Sequence, residues 1–286
     1  MVLREQLKHY ILRQIIFRID FIGLFETDIE KYLIEVRDML INYGAKDFST
    51  RIENVVDLQM QMNFDAEKDL QNPFSVQSTS TNNVYTFKNI ENNYVVEISK
   101  TFLSLTVDVN HGYKGFNVYH SLLLELLTKL TEVSKLFKGT RIGLRKKNIC
   151  YINKLENVHN YFKDGVFEVG KPLNDGDAYN CKSANWFSLY EKDSFKVNYI
   201  RNLQEGIISD EHEENQTTYQ TVLDIDVYID DVSSVIRVMN SKDCINEIIH
   251  QQNNITFETY INSLNKDFVE KLKCNEFNDE EIKGVM

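Results

Sequence analysis

The amino-acid sequence predicts an α+β fold, a largely antiparallel sheet with two long helices, arranged as two pseudo-repeats. Apolar and polar residues alternate through residues 103–109 and 221–229, which is typical of strands with one buried face. Residues 116–137 and 242–272 instead carry apolar residues at helical spacing, and each of these runs follows such a strand. Hairpin strands, an alternating strand and a long helix therefore occur twice in this order, which indicates an internal duplication.

The remaining elements follow from the same patterns. A half-buried strand is predicted at residues 11–22, where Ile15, Phe17 and Ile19 share one face, and a helix at residues 27–42. The polar stretch 75–83, rich in Ser, Thr and Asn, predicts a surface loop. Further strands are predicted at residues 51–63, 84–88 and 141–152. Residues 94–110 are predicted to form two strands with a break near Lys100, and residues 186–190 and 195–203 to form a hairpin.

Length and composition predict a packed protein with few linkers. The 286 residues are 42% hydrophobic and 12% aromatic, which is ample for a core, and only two prolines and eleven glycines are present. The length fits two domains of ordinary size or one large domain. We therefore predict an N-terminal α+β half at 1–155 and a C-terminal α+β half at 156–286, with one continuous domain as the alternative.

Charge and motif content exclude several classes of function. The net charge of −11 repels a phosphate backbone, which argues against bulk non-specific nucleic-acid binding. The four cysteines and six histidines show no zinc-site spacing, so no metal or other cofactor is predicted. The sequence carries no signal-peptide pattern at its start and no apolar run of about 18 residues, so we expect a cytoplasmic protein without a membrane segment.

A basic block in the strand at residues 141–152 is the first candidate site. Arg141, Gly143 and Arg145 share one strand face, followed by Lys146 and Lys147. The arginines predict binding of an anionic ligand or a protein partner, and the glycine would let its backbone approach closely. The alternative interpretation is that the arginines only pair with part of the acidic surplus.

Asp224 and Asp226 are the second candidate site. Residues two apart on a strand lie about 6.5–7 Å apart on the same face, so the two carboxylates could share a metal ion, as in metal-dependent nucleases and phosphatases. The alternative is a solvated sheet face, and no Lys or His follows at short spacing to complete a nuclease pattern. Nucleophile elbows, phosphate-binding loops and dinucleotide fingerprints are also absent from the sequence, which argues against an enzyme.

Three blocks resemble a sporadically distributed, uncharacterised family of prokaryotic proteins of about this length. The first block is residues 12–19. The second comprises residues 94–109, 113–127, 141–145 and 149–153, and the third comprises residues 223–227 and 249–257. The Arg-Ile-Gly-Leu-Arg run at residues 141–145 is the distinctive part. The family has no established activity, so it assigns no catalytic residues to this chain. Its patchy distribution implies horizontal transfer, as for phage-defence, toxin–antitoxin and other mobile-element genes.

Together these observations predict a non-enzymatic interaction protein of a phage-defence or toxin-neutralising system. It would bind a protein partner or an anionic ligand through the Arg141 and Arg145 face, and its acidic surface could also attract a basic partner. A homodimer is expected from base rates alone. The alternative is a metal-dependent hydrolase of nucleic acid or nucleotides with Asp224 and Asp226 as ligands. A third hypothesis is a sensor pocket between the pseudo-repeats, lined by aromatic residues.

Overall fold

A single antiparallel sheet connects both halves of the chain in the computed structural model. The structure describes residues 3–60, 74–109, 115–168, 181–208, 216–274, 282–283 and 285. Predicted strand residues 61–63 and 110 lie outside the described residues. Within this part of the chain the sheet has ten strands and six α-helices accompany it, which confirms the α+β class and the antiparallel sheet.

The strand order places the first strand of the chain near the middle of the sheet. The strands are β1 (Leu12–Ile22), β2 (Asp47–Met60), β3 (Phe74–Asn89), β4 (Tyr94–Ile98), β5 (Phe102–Asp108), β6 (Lys138–Ile152), β7 (Ser183–Lys192), β8 (Phe195–Ile208), β9 (Gln216–Ile229) and β10 (Ile282–Lys283). Their order across the sheet is β2-β3-β4-β5-β1-β6-β9-β8-β7, with the short β10 paired to β6. The central pair β1 and β6 thus joins the N-terminal strands to the C-terminal ones.

The helices are more numerous than the sequence predicts. They are α1 (Glu26–Asn42), α2 (Phe116–Glu132), α3 (Val158–Tyr161), α4 (Val232–Met239), α5 (Lys242–Ser263) and α6 (Lys266–Lys273). Because α1 and α2 both have 17 residues and α5 has 22, the prediction of two long helices is not confirmed. No helix within the described residues is long and apolar enough to cross a membrane.

The predicted helix at residues 242–272 is interrupted at Leu264. This residue has extended backbone and forms an isolated bridge with Phe162. The backbone N–H of Asn265 donates to the carbonyl of Tyr161 at 3.0 Å, and the Asn265 side chain accepts from the N–H of Asp267 to begin α6. The pairing of Leu264 with a distant segment therefore replaces one helical turn. The local spacing of apolar residues in the sequence does not reveal this interruption.

The predicted loop at residues 75–83 is wrong. These residues belong to β3 and pair antiparallel with β2, from Gln59 opposite Ser75 to Ile52 opposite Asn83. Cross-strand pairing satisfies their backbone N–H and C=O groups. The short polar side chains that indicate a loop are therefore compatible with a strand near the edge of the sheet.

The helices pack on one face of the sheet, which we call the helix face. It carries the apolar side chains of the central strands, such as Phe17 on β1 and Leu144 on β6, which stand opposite each other and are buried. Helix α5 packs on β6 and β9, α4 packs on β6, and α2 contacts both α1 and α5. The Tyr32 hydroxyl of α1 donates to the Leu126 carbonyl of α2 at 2.8 Å, which ties these two helices together.

The opposite face of the sheet carries charged side chains, and we call it the charged face. On β1 it presents Arg18 and Asp20, which form an ion pair with 2.7 Å between Nε and Oδ1. At the β2 side, Arg51 pairs with Glu53 and Glu97. The two faces of the central strands therefore differ sharply, one apolar and one ionic.

Candidate functional site

The basic block of β6 is divided between the two faces of the sheet. Because side chains alternate along a strand, Arg141, Gly143, Arg145 and Lys147 belong to the charged face. Lys146 belongs to the helix face, where it is 9% exposed. The predicted site residues therefore form two separate sites, an ion-pair cluster on one face and a pocket on the other.

Arg141 reaches diagonally across the charged face to Asp226. Its Nη2 donates to the two carboxylate oxygens of Asp226 at 3.0 and 2.8 Å, and its Nη1 lies 3.8 Å from a carboxylate oxygen of Asp20. The guanidinium also lies over the ring of Tyr228, 4.5 Å from the centroid. Burial raises the pKa of Asp226, and the charge of Arg141 offsets only part of that rise. The charge of Arg141 is thus already compensated inside the protein.

The space above Gly143 is filled by this arginine. A Cβ atom at Gly143 would lie 3.0 Å from Nη2 of Arg141 and 3.0 Å from the Cβ of Tyr228, which stands opposite it on β9. The glycine therefore gives Arg141 a path across the strand to Asp226. In this conformation the backbone of Gly143 is covered by a side chain of its own strand.

Arg145 makes the second ion pair, with Asp224. Its Nε and Nη2 donate to the two oxygens of Asp224 at 2.7 and 2.5 Å, a two-point contact of the strong kind. This hydrogen bonding raises the pKa of Arg145, with burial acting against it. The Asp224 side chain is 7% exposed, whereas that of Arg145 is 38% exposed and borders solvent.

The two predicted sites on the charged face are therefore one cluster. Arg141 and Arg145 are bound by Asp226 and Asp224, which is the pairing that the alternative interpretation of the arginines described. Both carboxylates proposed as metal ligands are occupied by guanidinium groups. Within the described residues, no group of three or more His, Cys, Asp or Glu side chains could hold a metal ion.

The pocket on the helix face lies between β6, the start of α2 and the middle of α5. Its cavity has a volume of about 250 Å³. This is the space that about eight water molecules take up in the liquid, somewhat smaller than a drug-sized site. It is lined by Arg4, Leu7, Tyr10, Leu12, Gly115, Phe116, Lys146, Asn148, Asn253, Thr256, Phe257 and Tyr260. We call it the Lys146 pocket.

Lys146 contributes a buried amine to the wall of this pocket. Its Nζ donates to the side-chain carbonyl oxygen of Asn253 and lies 5.7 Å from the centroid of the Phe116 ring. Burial lowers the pKa of Lys146 well below its usual value, and the positive charge of Arg4 lowers it further. The amine thus lies beside an amide and an aromatic ring, in an environment that disfavours its charged form.

Arg4 contributes a guanidinium group to the same pocket. Its Nη2 donates to the backbone carbonyl of Asn253 at 2.8 Å, and its guanidinium lies over the Phe257 ring, 4.7 Å from the centroid. The N-terminal segment is held in place by backbone hydrogen bonds from Lys8 and His9 to the carbonyl of Leu272. No carboxylate is among the described residues that line the cavity. Among the described residues, the pocket therefore combines the Lys146 amine and the Arg4 guanidinium with uncharged side chains.

Tyr260 adds a buried hydroxyl to this wall. The hydroxyl makes no hydrogen bond of ordinary geometry with the described residues. Burial raises its pKa, and a weak contact with the backbone of Ile11 offsets only part of that rise. A buried hydroxyl without a good partner is costly, so this atom favours a ligand that can hydrogen-bond to it.

Two histidines lie behind the aromatic wall. His120 of α2 stacks on Phe116 and lies 4.7 Å, centroid to centroid, from His250 of α5. Burial lowers the pKa of His120, and the neighbouring His250 adds to that effect. The two rings pack behind Phe116 and support its position in the pocket wall.

A second hollow lies at the β7–β8 turn and has a different character. It is open and acidic, lined by Glu191, Asp193, Ser194, Phe195, Lys196, Asp230 and Asp231. Lys196 is already paired with Asp230. This hollow is larger than the Lys146 pocket, but its carboxylates border solvent and are not enclosed by apolar side chains.

Comparisons with known proteins assign no family or activity to this arrangement. No family model matches the chain, and no curated protein matches it. One similar solved structure is that of the S. pombe Pct1 RNA triphosphatase in complex with the Spt5 CTD. It is 8% identical, the match covers 88% of this chain and 85% of that chain, and the TM-score is 0.16. A TM-score this low does not establish a common fold.

Proposed function

We propose that this is a non-enzymatic binding protein whose Lys146 pocket holds a small molecule with an anionic group and an apolar body. The observation that carries the proposal is the buried amine of Lys146, whose hydrogen-bond partner is an uncharged amide, in a cavity with no carboxylate among its described lining residues. An anion bound there would stabilise the charged form of this amine and offset the cost of burying it. The rings of Phe116 and Phe257 would contact its apolar part.

The choice of an anionic ligand rests on the chemistry of the groups that line the pocket. A buried cation in a protein is normally paired with a carboxylate, and Lys146 has an uncharged amide as its hydrogen-bond partner. The Tyr260 hydroxyl offers a further donor for the same anionic group. Apolar walls with a few convergent polar groups are the usual form of small-molecule sites.

Calorimetric titration with matched charged and neutral probes tests the proposal. Benzoate is expected to bind, whereas benzamide, which has the same shape and no charge, is expected to bind at least about tenfold more weakly. Lys146→Met should abolish benzoate binding, whereas Lys147→Met, the same substitution one residue along on the charged face, should leave it unchanged. Equal affinity for benzoate and benzamide would contradict an anion site.

A protein partner at the charged face is a second proposal. No helix is found packed on the β6–β9 part of this face in the described residues, and Arg145 remains partly exposed there. A partner with complementary charges would bind the alternating charges of this face. Such charge complementarity increases specificity and association rate more than affinity. Replacing Arg145 with Met should slow association with such a partner. An unchanged association rate in surface plasmon resonance would count against this surface.

The hydrolase alternative has less support than the binding proposals. A divalent ion at Asp224 and Asp226 would have to displace two arginines, one of them bound at two points. The proposed place of the protein in phage defence or toxin neutralisation rests on the sequence resemblance, and a homodimeric state rests on base rates. The proposed cytoplasmic location rests on the absence of signal-peptide and membrane-span patterns from the sequence. No contact in the structure adds to them.

We also infer that the two halves are pseudo-repeats, and the strand order supports this. In each half the first strand, β1 or β6, pairs with the last, β5 or β9, and the intervening strands run outward to an edge. A helical segment follows the first strand and another follows the last strand of each half. This order favours a junction just before β6, whereas the division predicted from the sequence, at residue 155, falls after that strand.

A further inference from the structure

Strand β7 lies at one end of the sheet, and its outer edge is exposed along its whole length. Within the described residues β7 pairs with β8 alone, one residue to one from Ser183 to Lys192 without a register shift. No residue of the strand is buried, and Phe187, Leu189 and Tyr190 are 65%, 50% and 54% exposed. The backbone N–H and C=O groups along such an edge are a template for a further strand.

The strand at the opposite end of the sheet, β2, has features that β7 lacks. Charged residues are spread along β2 at Asp47, Arg51, Glu53 and Asp57, and its pairing with β3 shifts register after Asp57. Charges and bulges are the usual devices that keep an edge strand from pairing with another chain. Residues 183–190 of β7 carry no charge, no proline and no glycine. The sequence of β7 therefore favours pairing at its edge, whereas that of β2 disfavours it.

We propose that two copies of this chain pair through β7 in an antiparallel arrangement, with Ser188 on the twofold axis. The axis of such a pair is perpendicular to the sheet, so residues that stand opposite each other belong to the same face. Phe187 then lies opposite Leu189 of the second copy, and Trp186 lies opposite Tyr190 of the second copy. Each of these pairs occurs twice, and aromatic cross-strand pairs stabilise a sheet. The sheets of the two copies thereby become continuous.

The sequence of β7 selects this register among the neighbouring ones. With Ser188 on the axis, each Lys192 lies opposite Ala184 of the second copy and meets no like charge. A shift that puts Phe187 on the axis brings Lys192 opposite Lys182 at both ends, and like charges directly opposite each other destabilise a sheet. A shift in the other direction places the aromatic residues of the strand opposite polar side chains. The strand is therefore complementary to itself, which favours a second copy as the occupant.

Sedimentation velocity over a concentration series tests this interface. A single pair of edge strands is a small interface, so we expect a dimer with a Kd on the order of 10 μM. Phe187→Lys and Leu189→Lys should each raise the Kd at least about tenfold, because each places a charge among the apolar side chains near the axis. Ile52→Lys is the matched control and should leave the Kd unchanged, since Ile52 is 68% exposed on the opposite edge strand. Circular dichroism establishes that each variant is folded.

A cysteine at the axis tests the register. In Ser188→Cys the two thiols would lie on directly opposite residues, whose Cα atoms are about 4.5–5.5 Å apart in antiparallel strands, within the range of a disulfide. We expect a cross-linked dimer on mild oxidation, in a background where Ser replaces the three cysteines that are not buried, Cys181, Cys244 and Cys274. Asn185→Cys is the control and should not cross-link, because its two thiols would be about 20 Å apart.

Each other outcome overturns a stated part of the proposal. A protein that stays monomeric at all concentrations would overturn the second copy as the occupant of the β7 edge. A dimer that persists in both lysine variants would place the interface elsewhere, and a dimer that they abolish without cross-linking of Ser188→Cys would overturn the register. None of these results bears on the Lys146 pocket, so failure of the dimer and failure of the proposed ligand binding are distinguishable.

Discussion

Replacement of Lys146 by methionine is expected to stabilise the protein at neutral pH. Burial of this amine cannot cost more than about 5 kcal/mol at pH 7, which is the free energy of deprotonating an ordinary lysine whose pKa is near 10.4, because the neutral form is always accessible. Methionine removes that cost and fills similar space. It also leaves the buried Asn253 oxygen without its donor, which costs about 1–3 kcal/mol. We therefore expect a net gain in the free energy of unfolding at pH 7, with an upper limit of about 2–4 kcal/mol.

The pH dependence of this gain follows from the direction of the shift. The pKa of Lys146 is lowered in the folded state, so between that lowered pKa and about 10.4 the unfolded chain binds a proton that the folded chain does not. Stability from this group therefore rises with pH across that window. The methionine variant lacks this rise, so its advantage over the wild type should shrink as the pH increases toward 10.

Urea denaturation from pH 6 to pH 10 measures the effect, with Lys147→Met as the matched control. The control changes a neighbouring lysine on the charged face, so its stability curve should run parallel to that of the wild type. A Lys146→Met variant that is less stable than the wild type at pH 7, by an amount independent of pH, would refute the reasoning. That result would mean that the amine is charged and well paired in the folded protein.

Three further changes probe the fold and the charged face. Arg145→Met should lower the free energy of unfolding by roughly 2–4 kcal/mol because Asp224 stays buried without its partner. Adding Asp224→Leu should restore most of that loss, as measured by urea denaturation in a double-mutant cycle. Gly143→Ala should lower the free energy of unfolding by about 1–2 kcal/mol in the wild type, because the new methyl group makes a close contact with the Arg141 side chain. The loss should be smaller in an Arg141→Met background. Leu126→Ala should lower the free energy of unfolding by about 2–5 kcal/mol because this side chain is fully buried, and a smaller loss would place α2 outside the core.

The sequence predicts much of the fold because strand and helix periodicity is local. The break near Lys100 is observed between β4 and β5, where the Ser99 hydroxyl accepts from the N–H groups of Thr101 and Phe102. The hairpin predicted around Lys192 is also observed. The errors occur where a distant partner decides the structure, as at Leu264, whose pairing with residue 162 ends α5.

The candidate site was predictable only in part. Strand alternation places Lys146 in the row of Ile142 and Leu144, so the sequence contains the signal that this lysine is buried, whereas the predicted binding site groups it with Arg141 and Arg145. The other members of the pocket come from distant parts of the chain. Arg4 and Asn253 meet Lys146 only after the sheet and α5 are in place, and no spacing in the sequence relates them.

The ion pairs on the charged face could also be predicted only in part from the sequence. Alternation correctly places each arginine and each aspartate on one face of its own strand. Which of them meet depends on the register between β6 and β9, in which Asp226 stands opposite Arg145 but binds Arg141 across Gly143. A register is set by long-range pairing and by the side chains on both faces, so it was not available from either strand alone.

The most direct test of the anion pocket is the proton uptake that accompanies binding. Titration of benzoate at pH 8 in buffers of different ionisation enthalpy measures the number of protons exchanged. An anion beside Lys146 should raise the pKa of the amine, so we expect uptake of a fraction of a proton that disappears in Lys146→Met. Tight binding with no proton uptake, unchanged in the variant, would contradict the account of this pocket.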